Sequence, residues 1–253
     1  MWRCQTRSPS RGARRSGVRC NWLRGKGTWI AAALALVLVL PFCTQAQVAG
    51  IPKRADFARE RASRDARQLA DWIVDSGDNR NLPFVIVDKT NARIFVFDPA
   101  GHIRGAAPAL LGAARGDVSA PDIGTRELSA IGPEDRITPA GRFVAALGRN
   151  FRGEDVVWVY YDAGLSLHRV LTIHPEERRL QRLATRTVAD NRISYGCINV
   201  PARFYEKVVG PAFTGTEGIV YVMPETRPAR EIFDSYDVRE RARTRQDVLA
   251  GGS

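Results

Sequence analysis

A succession of short, β-rich apolar runs separated by turn residues limits this chain more than any other feature. Phe84-Val85-Ile86-Val87 and Ala92 to Phe97 flank Asp88-Lys89-Thr90-Asn91, the pattern of a hairpin. Asp98-Pro99-Ala100-Gly101 marks a second turn, with His102 solvated beside it, and Ala109-Leu110-Leu111-Gly112 is a short apolar run. Residues 113–136 read as a loop rich in Gly, Asp, Ser and Pro. Further strands are expected over 141–147, 156–161, 165–173 and 218–223. Strands this short and this closely spaced fold as a mostly β sandwich or barrel. Three helices accompany them. The first spans 52–75, where Ala58, Ala62, Ala66, Leu69 and Ile73 recur at spacings of three and four, and ends at Ser76-Gly77-Asp78-Asn79. The second covers Glu176 to Leu183, and the third Pro201 to Val209, with Pro at a first helical position. From Thr226 the chain turns polar and reads as a solvated tail. The organisation is therefore 1–46, an N-terminal helical segment over 47–81, a β domain over 82–225 and a polar tail over 226–253.

The formal charge of +11 suggests nucleic acid, but its placement does not. Residues 1–46 hold eight Lys and Arg and no acid; the rest carries 30 basic against 27 acidic residues. Nucleic acid is set aside as a partner. The same segment has a basic stretch to Lys26, an apolar run from Trp29 to Leu40, and small or polar residues ending Thr44-Gln45-Ala46. That is the order of a secretory signal peptide, and twelve apolar residues fall short of the ~20 that span a bilayer. Export to the periplasm is expected, with membrane contact only through the signal.

Cleavage after Ala46 would remove Cys4, Cys20 and Cys43 and leave Cys197 alone. A lone thiol in an oxidising compartment is either buried and inert or kept for its reactivity. Cys197 lies in Ser194-Tyr195-Gly196-Cys197-Ile198-Asn199. Gly196 allows close backbone approach, and the helix expected from Pro201 would bring a positive helix end toward the sulfur. A thiol nucleophile needs a base, and His168 and His174 both lie upstream at an even separation, on one face of a regular strand or its ends.

Ser194 to Asn199 resembles the Ser/Thr-His-Gly-Cys-hydrophobic-Asn signature of L,D-transpeptidases. Thr138-Pro139-Ala140-Gly141-Arg142-Phe143 is similar to the Thr-Pro-x-Gly-x-Phe stretch of the same catalytic domain. The resemblance covers about residues 82–225. It implies a β-sandwich catalytic domain with short helices, here preceded by one N-terminal helix. It also implies an exported cysteine acyltransferase, working on peptidoglycan stem peptides through a thioester. The same chemistry serves L,D-carboxypeptidases and enzymes that link a lipoprotein to the wall. Tyr195 departs from the pattern by standing at the family's His position, and neither upstream His is followed by Gly. A catalytically degenerate wall-binding module is the reading that Tyr195 motivates.

The resemblance assigns Cys197 as nucleophile and an upstream His as base. Local context favours His168, in Leu165-Ser166-Leu167-His168, over His174, which precedes Pro175. Main-chain N–H groups of Gly196 and Cys197 are expected to stabilise an oxyanion, with Ser194, Tyr195 and Asn199 in support. Arg169, Arg178, Arg179, Arg182, Arg186 and Arg192 all fall between His168 and Cys197. Arg forks suit carboxylates, so Arg182, Arg186 and Arg192 are candidates for holding substrate. No spaced metal-ligand set and no phosphate-binding glycine loop is visible, so no metal or cofactor is expected.

Overall fold

The computed structural model describes residues 52–251. The signal-peptide reading of residues 1–46, with its three cysteines, falls outside the described residues. The described chain is mainly β with short helices, preceded by one N-terminal helix.

Helix α1 (Arg64–Ser76) starts where Ser63 caps it, the serine Oγ accepting from Ala66 N at 3.1 Å. It ends at Gly77, whose φ of 71° is the left-handed C-cap that glycine adopts without strain. The helix expected over 52–63 does not form. Phe57 instead docks edge-on against Phe95 and Phe97, and Asp56 makes a β-bridge to His102. Burying one aromatic ring outweighs the helix propensity of the alanines around it, a preference that tertiary packing overrides.

Strands β1 (Phe84–Asp88) and β2 (Arg93–Phe97) form the expected hairpin, and β3 (Ile103–Pro108) continues it. A two-residue β4 (Leu111–Gly112) follows. The loop after it carries three 3₁₀ turns before β5 (Gly141–Arg149). Then come β6 (Asp155–Tyr160), β7 (Leu165–Arg169), α2 (Arg179–Ala184), β8 (Arg192–Ser194) and β9 (Ile198–Val200). Helix α3 (Ala202–Phe204) runs through a π-helical turn, Tyr205–Val209, into α4 (Gly210–Phe213). The chain closes with β10 (Gly218–Val222), α5 (Ala229–Phe233) and α6 (Val238–Gly251).

Eight strands pair in the order β3-β2-β1-β10-β5-β6-β7-β9, and β4 pairs with β8. The β5 strand joins two halves of the large sheet: Gly141 to Ala145 pairs with β10, whereas Ala146 to Arg149 pairs with β6. Such strand switching makes the corner of a sandwich. Both halves supply one core: Val85, Val87, Val220 and Val222 from one, Val157, Leu167, Ile198 and Val200 from the other. Tyr205, Val209 and Phe213 of the α3–α4 segment join it. Period-two alternation sends Phe84, Ile86, Phe95, Phe97, Ile219 and Tyr221 to the opposite face, where Leu69 and Ile73 of α1 cover them. Strands covered on both faces read as unbroken apolar runs.

The stretch after Thr226 differs from a solvated tail. Phe233 and Val238 are buried in the α1-side core, and Gln68 of α1 donates to Asp237 at 2.7 Å. Among the described residues no helix is long and apolar enough to cross a membrane.

Candidate active site

The site forms where β7 and β9 run parallel at the end of the sheet, with His168 opposite Asn199 and Leu167 opposite Ile198. Leu165 and Leu167 point into the core, so Ser166 and His168 take the other face. Cys197 lies one residue before β9 and is partly exposed. Its Sγ receives a hydrogen bond from Ser166 Oγ at 3.4 Å and reaches Gly164 O at 3.5 Å.

His168 is the histidine brought to the thiol. Its Nδ1–H donates to Arg169 O at 2.7 Å, which leaves Nε2 for Cys197. Burial pushes the Cys197 thiol up, but the hydrogen bond and charge of His168, then Ser166, outweigh it and bring the thiol down to about 7. Burial likewise pulls the imidazole down, and the hydrogen bond and charge of Cys197 more than restore it, leaving His168 above its ordinary value. The two residues therefore favour a thiolate–imidazolium pair.

The even spacing of His168 and His174 does not put both on one strand. The β7 strand stops at Arg169; Val170 N makes a last bond to Val200 O, and the chain then turns through Pro175–Glu177. His174 is 59% exposed and pairs with Glu176 at 3.2 Å. The helix end expected beside the sulfur is also displaced. The whole of β9 and Pro201 separate Cys197 from Ala202, about 16 Å of chain at ~3.3 Å per residue if extended throughout. The groups that lower the thiol, His168 and Ser166, both stand on β7.

The motif residues divide their work. Ser194 is buried and bonds within the loop rather than to the imidazole: its Oγ donates to Cys197 O at 2.7 Å and accepts from Gly196 N at 3.1 Å. That engages the Gly196 N–H expected to face an oxyanion, leaving the Cys197 N–H as the member of that pair not held by Ser194. Gly196 has a φ of 130°, and a Cβ there would stand 2.8 Å from Ile137 O, so glycine is required twice over. Thr138, the first residue of the Thr-Pro-x-Gly stretch, ties the loop down. Its Oγ1 accepts from Gly112 N at 2.8 Å and donates to Gly196 O at 2.7 Å. Asn199 Nδ2 donates to Cys197 O at 3.1 Å and stands 3.5 Å from His168 Nε2. Tyr195 lies beneath the Arg136 guanidinium, 4.1 Å from its ring centre.

Of the three arginines expected to hold substrate, two are engaged within the protein. Arg192 is buried in an ion pair with Glu225 and donates to Lys89 O at 3.0 Å. Arg182 donates to Glu177 O at 2.8 Å and Asp190 O at 2.9 Å, closing its own loop. Both guanidiniums are engaged by the protein; Arg186 is exposed. The arginine at the site is Arg179, which donates to Asn199 Oδ1 at 2.7 Å and pairs with Glu177. Fixing that oxygen turns the Asn199 amide nitrogen toward Cys197 O and His168. Leu183, buried with Leu110 and Val170, anchors α2 so that Arg179 can reach. Nothing in its sequence position sets Arg179 apart from five neighbouring arginines.

No protein-family model matches the chain, and no curated protein matches it. Solved structures do. The LD transpeptidase LdtMt1 in complex with imipenem is similar at 16% identity and a TM-score of 0.32, over 56% of this chain and 58% of that one. A cysteine-to-serine mutant of an Enterococcus faecium L,D-transpeptidase is similar at 20% identity and a TM-score of 0.30, over 56% and 49%. The helical cell shape determining protein Pgp2 of Campylobacter jejuni, as a lysine-to-alanine mutant, is similar at 15% identity and a TM-score of 0.38, over 75% and 64%. The matches thus span about half to under two-thirds of those chains' own lengths.

Proposed function

We propose that this chain is an exported cysteine acyltransferase acting on peptidoglycan stem peptides by L,D-transpeptidation. The observation that carries the reading is the placement of Cys197 beside His168, where β7 and β9 pair in parallel, inside a Ser-x-Gly-Cys-hydrophobic-Asn motif. The Cys197 thiolate attacks the carbonyl carbon before the terminal D-residue of a tetrapeptide, forming the S–C bond of a tetrahedral intermediate. That intermediate collapses as its C–N bond breaks, and the His168 imidazolium gives its proton to the departing amine. An amine of a neighbouring stem then attacks the thioester; His168 takes the amine proton, and the thiolate leaves. Water in place of that amine gives a carboxypeptidase, and a lipoprotein side-chain amine gives wall linkage. The oxyanion of each tetrahedral intermediate falls to the Cys197 main-chain N–H. No step calls for a metal or cofactor.

Tyr195 is compatible with turnover. Its ring packs on Arg136, while the bonds to the thiol and imidazole come from Ser166, Gly164, Asn199 and Arg169. The test is to incubate the full chain with a disaccharide-tetrapeptide and follow products by mass spectrometry, beside Cys197→Ala. Cysteine-dependent release of D-alanine is expected; dimer then identifies the transferase, and tripeptide the carboxypeptidase. Binding without release would overturn the enzyme reading in favour of a wall-binding module.

The pair also sets a pH dependence. The nucleophile must be ionised, so kcat/KM rises with pH through about 7, the value to which the thiol is lowered. It falls again when the imidazolium, raised above its ordinary value, loses the proton owed to the leaving amine. An initial-rate profile whose acid limb sits instead in the ordinary cysteine range, near ~8.5, would contradict the ion pair.

A further inference from the structure

The geometry points to Ser166 as a catalytic group of this site: its hydroxyl donates to Cys197 Sγ and holds the sulfur as a thiolate aimed at substrate. The inference rests on the proposed function only for what the thiolate attacks, since the contact itself belongs to the fold. Ser166 and His168 are two residues apart on β7, and the alternating Leu165 and Leu167 face the core. The alternation places one hydroxyl and one imidazole on the same face, where both meet the sulfur. Ser166 is 6% exposed, and its Oγ lies 3.4 Å from Sγ, a normal length for a bond to sulfur.

This arrangement answers a specific need. When His168 passes its proton to the leaving amine, the imidazolium charge beside the sulfur is gone. When the thioester is later cleaved, the thiolate re-forms as leaving group while His168 is only then regaining its proton from the acceptor, so a second donor to the sulfur is needed beside the imidazolium. A neutral hydroxyl that does not titrate donates at every stage. The strand that supplies it cannot withdraw, because Leu165 and Leu167 fix it on both sides. The other charged or titratable groups facing the pair are few. Arg179 acts from α2 through Asn199 and lowers His168, Glu177 pairs with Arg179, and Arg136 lies over Tyr195. None of these donates to the sulfur.

The test reads the thiol directly and requires no peptidoglycan. The full chain is alkylated with iodoacetamide across pH, and modification of the Cys197 peptide is followed by mass spectrometry, which separates it from the other cysteines. For Ser166→Ala the profile should move up by about one unit, so that alkylation near pH 6 slows about tenfold while the high-pH plateau is unchanged. Ser166→Thr keeps the hydroxyl on a strand that tolerates β-branching and should restore the wild-type profile. On a disaccharide-tetrapeptide, Ser166→Ala should lower kcat with KM unmoved. An unshifted alkylation profile in a Ser166→Ala protein of wild-type melting temperature overturns the inference. Wild-type protein that alkylates as expected but releases no D-alanine overturns the proposed function and leaves the Ser166 contact standing.

Discussion

Cys197→Ser is expected to leave no measurable acyl transfer, and His168→Ala to reduce kcat/KM by about 10²–10⁴-fold, the usual worth of a positioned proton carrier. The serine variant keeps a nucleophilic atom of the same valence in nearly the same place, so its failure is informative. The distances here suit sulfur: 3.4 Å to Ser166 Oγ and 3.5 Å to Gly164 O are contacts an oxygen would be too small to keep. An alcohol is also far harder to ionise than a thiol already brought to about 7. Loss of His168 acts twice, by letting the thiol drift back to its ordinary range and by leaving the departing amine without a proton. His174→Ala is the control. Its ring is solvated and its partner is Glu176, so activity should stay within about twofold, the scale of a surface substitution. Initial rates of D-alanine release check all three, with melting temperatures taken alongside. A His174→Ala enzyme that loses activity while His168→Ala keeps it would reverse the assignment of the base.

The sequence is readable here where a local rule and the tertiary environment agree. The β1–β2 hairpin follows from two apolar runs around a polar four-residue turn, and the fold keeps both. Alternation in Leu165-Ser166-Leu167-His168 likewise identifies the face turned to Cys197; it contains the signal for Ser166, a serine on the histidine's side of a strand. The readings that changed are those in which a distant partner decides. Residues 52–63 have helical spacing, but Phe57 buries itself among aromatics from β2. The β3 strand, Ile-Arg-Gly-Ala-Ala-Pro, carries too little apolar volume to announce itself and forms because β2 offers it an edge. A strand of even spacing from His168 to His174 fails because parallel pairing with β9 ends at Val200. Arg179 differs from Arg182 and Arg192 only in what the closed fold sets opposite it: Asn199 in the first case, loop carbonyls in the second, Glu225 in the third. Charge counting sees six equivalent arginines; only one reaches the motif that holds the thiol.

Lys89→Met is expected to cost about 3–5 kcal/mol, the range for removing one partner of a buried ion pair. For a chain of this size that lowers the melting temperature by ~10 °C or more. Lysine in a hairpin turn is ordinarily solvated, and nothing in Asp88-Lys89-Thr90-Asn91 signals otherwise. Here Lys89 is fully buried, and its Nζ donates to Gly116 O at 2.5 Å, Asp117 Oδ1 at 2.9 Å and Thr138 O at 2.9 Å. Burial pulls the ammonium down from its ordinary value, while Asp117 and Glu225 oppose that pull. Asp117 also accepts from the main chain of Glu225 and Thr226, and Glu225 pairs with Arg192. Buried Lys89 and Arg192, with the part-exposed Arg227 3.9 Å from Asp117, thus face two buried carboxylates. They pin together the β1–β2 turn, the loop after β4, the strand entering the Cys197 motif and the exit of β10. Methionine fills the volume of the lysine stem but leaves Asp117 as an excess buried anion, its charge still held in place by main-chain donors. Lys89→Met with Asp117→Asn should therefore melt higher than Lys89→Met alone, since the second change removes the stranded charge. Thermal melting of the two variants decides it: a Lys89→Met protein as stable as wild type, or no recovery in the double variant, would mean that the buried charges contribute little to the fold. The Cys197 loop is linked to the same group, because Lys89 donates to Thr138 O and Thr138 Oγ1 donates to Gly196 O. Below its melting temperature, Lys89→Met should alkylate at Cys197 with a broadened pH profile, as the loop before the nucleophile loses its fixed distance to His168.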